Sequence, residues 1–218
     1  RARIVTVYNP IVDAMTGARA VEPVAHPWLA PGEPPVVLGV GWLIAQKDFA
    51  TLIRAFARVR AVRPARLVLL GATKETGSES GERSRLEALA AELGVARDVA
   101  LPGFVPNALA WMAKAGVFVL SSRFEGLPGV LIEALAAGCP VVATDCPHGP
   151  REILADGRFG PLVPVGDDAA MAEAILRILA DPPAREMLRG RAASFSLDAA
   201  VDRYLELLTG PLPAAAGR

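Results

Sequence analysis

Residues 36–71 read VVLGVGWLIAQKDFATLIRAFARVRAVRPARLVLLG, and this stretch decides the fold class. Val36 to Val40 is a continuous apolar run, the pattern of a strand buried on both faces. Phe49, Leu52, Ile53, Phe56 and Val59 follow at helical spacing, with Arg54, Arg58 and Arg60 elsewhere on the helix. Arg66 to Gly71 is the next buried strand. A strand, helix and strand in this order pair in parallel through a right-handed crossover.

The alternation continues outward. Leu86, Leu89, Ala90 and Leu93 make a helical stripe that ends at Gly94, a residue suited to closing a helix. Val99–Leu101 reads as a short strand, Ala108–Ala115 as a short helix, Val117–Leu120 as a strand, Val130–Ala137 as a helix and Val141–Thr144 as a strand. Leu162-Val163 is a last short strand, and helices follow near 167–180, 184–192 and 197–208. Toward the start, Ile4–Tyr8 reads as a strand stopped at Asn9-Pro10, and residues 11–35 as a surface linker packed down by His26 and Trp28. Residues 72–82 form a polar loop. The expected organisation is a strand and linker over 1–35, an α/β domain over 36–193, a C-terminal helix over 194–210 and a disordered tail over 211–218. The α/β domain is a doubly wound parallel sheet with helices on both faces. Such sheets bind ligands at the carboxyl ends of their strands, near the switch point. The loops that matter are therefore 41–48, 71–82, 102–107, 121–129 and 145–152.

The chain has 218 residues, long enough to bury a real core without disulfides or a structural metal. Lys and Arg number 23, as do Asp and Glu. Zero net charge argues against nucleic acid and against an anionic membrane surface as main partners. Only Lys47, Lys74 and Lys114 are Lys. Cys139 and Cys146 are too few for a disulfide framework, and with His26 and His148 they offer no metal-binding spacing. No apolar run reaches the roughly 18 residues of a membrane span, and Arg1–Val5 is no signal peptide. The missing initiator Met reads as a piece of a longer chain. Neither a nucleophile elbow nor a phosphate-binding P-loop is present.

Residues 121–133, SSRFEGLPGVLIE, run from a strand end through a Gly- and Pro-containing turn into a helix that starts near Pro128 or Gly129. The first N–H groups of that helix, on Gly129, Val130 and Leu131, suit an anion. Gly126 and Gly129 let a ligand approach the backbone. Glu125 and Glu133 bracket the turn. A carboxylate accepts hydrogen bonds from vicinal hydroxyls, so a sugar or ribose fits; equally, Glu133 can complement the helix dipole while Glu125 is solvated. Lys47 opens the helix after the Gly39–Gly41 strand end, either as a point charge for a diphosphate or as a solvated side chain. Gly103-Phe104-Val105 presents backbone groups to a base edge or is a plain turn. Arg151-Glu152 reads as a structural salt-bridge pair opening a helix, and His148 sits in a turn.

Glu125 and Glu133, seven residues apart in SSRFEGLPGVLIEALAAGCPVVATD, resemble the E-x7-E signature of the family 4 retaining glycosyltransferases. The segments Gly149–Leu154, Gly160–Asp167, Val40–Phe49 and Gly103–Val105 resemble further parts of that family, so the match spans about residues 4–208. The resemblance implies the C-terminal, donor-binding half of a GT-B architecture, in which two Rossmann-like domains face a cleft. It implies that Glu133 binds ribose hydroxyls and Glu125 the donor sugar. Backbone groups of Gly126, Leu127, Pro128, Gly129, Val130 and Leu131 would hold sugar and diphosphate. Lys47 would neutralise the leaving diphosphate beside Gly41 and Trp42, and Gly103, Phe104 and Val105 would meet the base. No metal or cofactor is implied. The implied partners are a nucleoside-diphosphate sugar, a UDP-sugar by preference, and a glycan or lipid-linked acceptor carried by the N-terminal half. The expected location is cytoplasmic, at the cytoplasmic face of the membrane, with at most peripheral contact.

Two departures stand out. Trp42 occupies a place where the family usually has Arg, and an indole cannot supply that charge; Arg123 is the candidate to compensate. The match also lacks the acceptor-binding half with its His near the reacting sugar. The competing reading is a non-catalytic Rossmann-like module that has lost diphosphate chemistry.

Overall fold

A computed structural model describes residues 5–73 and 81–209. Six strands form one parallel sheet: β1 (Val36–Val40), β2 (Arg66–Leu70), β3 (Val99–Gly103), β4 (Val117–Leu120), β5 (Val141–Thr144) and β6 (Leu162–Val163). Their order is β3-β2-β1-β4-β5-β6, so the winding reverses between β1 and β4. The helices are α1 (Thr16–Ala20), α2 (Phe49–Val62), α3 (Glu82–Glu92), α4 (Ala108–Lys114), α5 (Gly129–Ala136), α6 (Pro150–Ile153), α7 (Asp168–Ala180), α8 (Arg185–Ala192) and α9 (Leu197–Thr209).

Side chains alternate across a strand, and here both sets are apolar. Val36, Leu38, Val68, Leu70, Phe118 and Leu120 pack on one face against α4, α5 and α8. Val37, Leu67, Leu69, Val117 and Val119 pack on the other against α2, α3 and α7. The continuous apolar runs thus become strands covered on both sides. The Rossmann-like α/β fold expected from the pattern is the fold observed.

Three expectations need correction. Val5–Tyr8 is not a strand. Its β-branched run finds no sheet edge; the Tyr8 hydroxyl donates to Glu152 instead (2.5 Å), and Ile11 and Val12 donate their N–H groups to the Phe195 carbonyl (2.9 and 3.1 Å). The 11–35 stretch is more ordered than a linker. Asp13, Thr16 and Arg19 bond one another around α1, and His26 and Trp28 pack it down as expected, with His26 lying 5.1 Å from the Trp111 ring. Arg151 and Glu152 are not a pair, because Arg151 bonds Asp145 and Asp156. The loop expected over 72–82 falls largely on residues 74–80, and the tail on 211–218; both lie outside the described residues. No described helix is long and apolar enough to cross a membrane.

Candidate functional site

The carboxyl ends of β1, β2 and β3 are laced together. Gly41 donates to the Leu70 carbonyl and Gly71 to the Gly103 carbonyl, each at 2.9 Å. Gly71 has φ +155°, and a Cβ there would fall 1.7 Å from the Gly41 oxygen, so only glycine lets the two loops approach this closely. Beside this edge lies a cavity of about 290 Å³. Of the candidate residues, Gly41, Trp42, Phe104, Val105 and Glu133 line it together. Gly103 ends β3 just before the wall that Phe104 begins. Trp42 and Phe104 are 55% and 76% exposed, so two aromatic faces stand open at one mouth. Burial pushes the Glu133 carboxyl above the usual range, and the Arg19 guanidinium opposes the shift. No described residue bonds that carboxylate.

A second cluster lies across the switch point. Lys47 Nζ meets Glu125 Oε1 at 2.6 Å, with only 16% and 9% of the two side chains exposed. The two loops that carry them are stitched. Ser121 Oγ donates to the Lys47 carbonyl (2.7 Å), Arg123 N–H to the Gln46 carbonyl (2.8 Å), and Gln46 Nε2 to the Phe124 carbonyl (2.9 Å). Ser122 Oγ donates to the same Glu125 oxygen at 2.6 Å. Behind it, buried Thr144 donates to the Ser122 carbonyl at 2.6 Å. Both charges are therefore held in place before any ligand arrives.

Helix α5 begins between these clusters. Pro128 precedes it and no side chain caps it. The N–H of Leu131 bonds the Pro128 carbonyl (3.0 Å), which narrows the three expected anion-facing donors to Gly129 and Val130. Gly126 has open space on its Cβ side, whereas a Cβ at Gly129 would meet Ile11 at 3.3 Å. Gly126 and Leu127 line a separate groove with Tyr8, His148 and Glu152. Gly149, at φ +80°, lets that groove close, because a Cβ would sit 2.2 Å from the Gly126 carbonyl.

Arg123 is the candidate to make up for the missing arginine. Its Nε bonds Asp48 Oδ2 (3.2 Å), the buried carboxylate that also caps α2. The residue that the sequence reading missed is Arg19, which reaches the Glu133 cavity from α1. Its five-residue helix carries no apolar period to announce it. Burial raises both thiols, Cys139 to about 12, so neither is a ready nucleophile. Among the described residues no group of three or more His, Cys, Asp or Glu is placed to hold a metal ion.

Comparison with known proteins bears on the family and the fold. The family described as Glycosyl transferases group 1 matches residues 34–181, more than half of the chain. The chain is 36% identical over 204 residues to the lipopolysaccharide core biosynthesis glycosyltransferase LpsE of Rhizobium meliloti, covering 91% of this chain and 57% of that protein. It is also 36% identical over 186 residues to a Campylobacter jejuni N-acetylgalactosaminyltransferase whose name specifies a diphospho-undecaprenol-linked saccharide, covering 85% and 47%. Among solved structures, sucrose-phosphate synthase from Thermosynechococcus elongatus superposes with a TM-score of 0.73 at 30% identity, covering 93% of this chain and 49% of that one. The chain spans about half the length of the curated relatives it matches.

Proposed function

The chain belongs to the group 1 glycosyl transferases, and on that premise we propose that it is the donor-binding half of a retaining, metal-independent sugar transferase. The donor is a nucleoside-diphosphate sugar, by preference a UDP-sugar. The acceptor is a glycan or a lipid-linked saccharide, the class named for the Campylobacter relative. The observation that carries this reading is the convergence of Glu133, Lys47 and Glu125 on the strand ends around the start of α5.

The chemistry follows from that placement. Departure of a nucleoside diphosphate develops negative charge, and fixed donors aimed at it lower the barrier. Lys47 and the N–H groups of Gly129 and Val130 are such donors. The incoming diphosphate competes with Glu125 for the Lys47 ammonium and frees that carboxylate to accept from sugar hydroxyls. Glu133 accepts from the ribose, and the backbone at Phe104-Val105 meets the base. The acceptor and the remaining walls come from the other half, so the isolated chain binds nucleotide but turns over very slowly. α9 leaves Val201, Tyr204, Leu205 and Leu208 exposed, and this apolar face packs on that half.

Calorimetric titration of UDP and GDP into the chain tests the proposal. Saturable binding is expected, weakened by Glu133→Ala and by Lys47→Ala; no binding at millimolar nucleotide would overturn it. Trp42 favours a second reading, a binding module without transfer chemistry, because it places an indole where a cation would serve a diphosphate.

A further inference from the structure

We propose that Arg19 selects the nucleobase in the Glu133 cavity, favouring a base with a carbonyl edge, such as uracil, over adenine. The inference rests on the donor-site reading above and assigns a residue from outside the sheet to that site. Arg19 lies ahead of every strand, in the last turn of α1. Among the described residues that line the cavity it is the only Lys or Arg, and Glu133 the only carboxylate.

No described residue bonds Nη1 of Arg19, which leaves that nitrogen as the donor open to a ligand. Nη2 bonds both oxygens of Asp13, at 2.9 and 2.7 Å, while Nε is buried with no hydrogen-bond partner. A guanidinium carries five donors, and Asp13 takes those of one nitrogen alone. Offsetting Glu133 does not account for the side chain, because its ion-pair partner is Asp13.

The position is built. Asp13 Oδ1 also accepts from the Met15 N–H and the Thr16 hydroxyl, at 3.0 and 2.9 Å. Asn107, which caps α4, donates from Nδ2 to the Arg19 carbonyl at 2.9 Å. Arg19 therefore enters beside the Phe104–Asn107 wall, where the base is expected, and is tied to the cap of α4 rather than to the start of α5. The free donor matches a single carbonyl oxygen of uracil, whose N3–H stands between its two carbonyls, or the carbonyl of guanine. Adenine has no carbonyl, and beside its accepting ring nitrogens the amino group sets donor against donor. Trp42 and Phe104 offer aromatic faces that stack on any base, so they add affinity without choice. Selection falls to Arg19.

The test is calorimetric titration of UDP and ADP into the chain, its Arg19→Met variant and its Arg19→Lys variant, with thermal melts confirming that each is folded. The native chain prefers UDP. Arg19→Met weakens UDP about tenfold, the loss of one hydrogen bond from a charged donor, and changes ADP less than about twofold. Arg19→Lys keeps the charge but loses the planar group that Asp13 anchors on one nitrogen while another is aimed at the base, and the UDP-to-ADP preference falls in it as well. Equal losses for both nucleotides would place Arg19 on the shared ribose or phosphates and overturn the proposal, as would an unchanged preference. If the native chain binds neither nucleotide, the donor-site reading fails and this inference falls with it. If it binds UDP in a Glu133-dependent manner while the preference survives Arg19→Met, only this inference falls.

Discussion

Glu125 and Glu133 flank one turn and start one helix, yet their surroundings are opposite. Glu125 accepts from Lys47 and from Ser122, each at 2.6 Å, and the Ser122 carbonyl is bonded in turn by buried Thr144. Glu133 faces a cavity where burial raises its carboxyl and no described residue bonds it. The first carboxylate is part of the fold until a ligand competes for its partner. The second is a cost to the fold that a ligand's hydroxyls would repay. Sites built for binding commonly carry such local destabilisation.

The largest expected effect lies in the first cluster. Lys47→Ala strands a buried carboxylate, and chemical unfolding should show a loss of about 3 kcal/mol, typical of breaking a buried pair from one side. The double change Lys47→Met with Glu125→Gln should recover most of it. If Lys47→Ala melts like the native chain, the pair contributes little and the contrast between the two glutamates fails.

Glu133 should behave in the reverse sense. Its folded pKa lies above the unfolded one, so the folded chain holds the proton more tightly. That contribution is fully present below the unfolded pKa and is lost as pH rises through the raised value. Glu133→Gln removes this loss, so its Tm at pH 7 should exceed that of the native chain, and the gap should close in acid. The same variant should bind UDP several-fold more weakly, since an amide is a poorer acceptor than a carboxylate. A lower Tm at pH 7 would show that Glu133 has a stabilising partner in the fold.

Trp42→Arg is expected to do least. On the proposed reading Lys47 and the start of α5 already serve the diphosphate, so UDP affinity should change by less than about threefold. A gain of tenfold or more would show that the native site is short of charge and would favour the binding-module reading.

Much of this arrangement could be read from residue order. Buried parallel strands declare themselves as unbroken apolar runs such as Val36–Val40 and Val117–Leu120, and α2 and α3 by their spacing. Glu125, Glu133 and Lys47 stood out because strand–loop–helix junctions put them at one sheet edge. The pairing of Lys47 with Glu125 did not, since it depends on two loops 78 positions apart being stitched by Ser121, Gln46 and Arg123. Arg19 was hidden for the same reason: α1 reaches the cavity by packing on α4 and by the bond from Asn107, 88 positions away. The Val5–Tyr8 run misled because β-branched residues favour a strand only where an edge is free to receive one.

The most direct measurement is a crystal structure of the chain with UDP. The account predicts ribose hydroxyls on the Glu133 carboxylate, uracil along Phe104-Val105 and the terminal phosphate beside Lys47. A nucleotide lodged elsewhere, for example in the groove between Tyr8, His148 and Glu152, would contradict it.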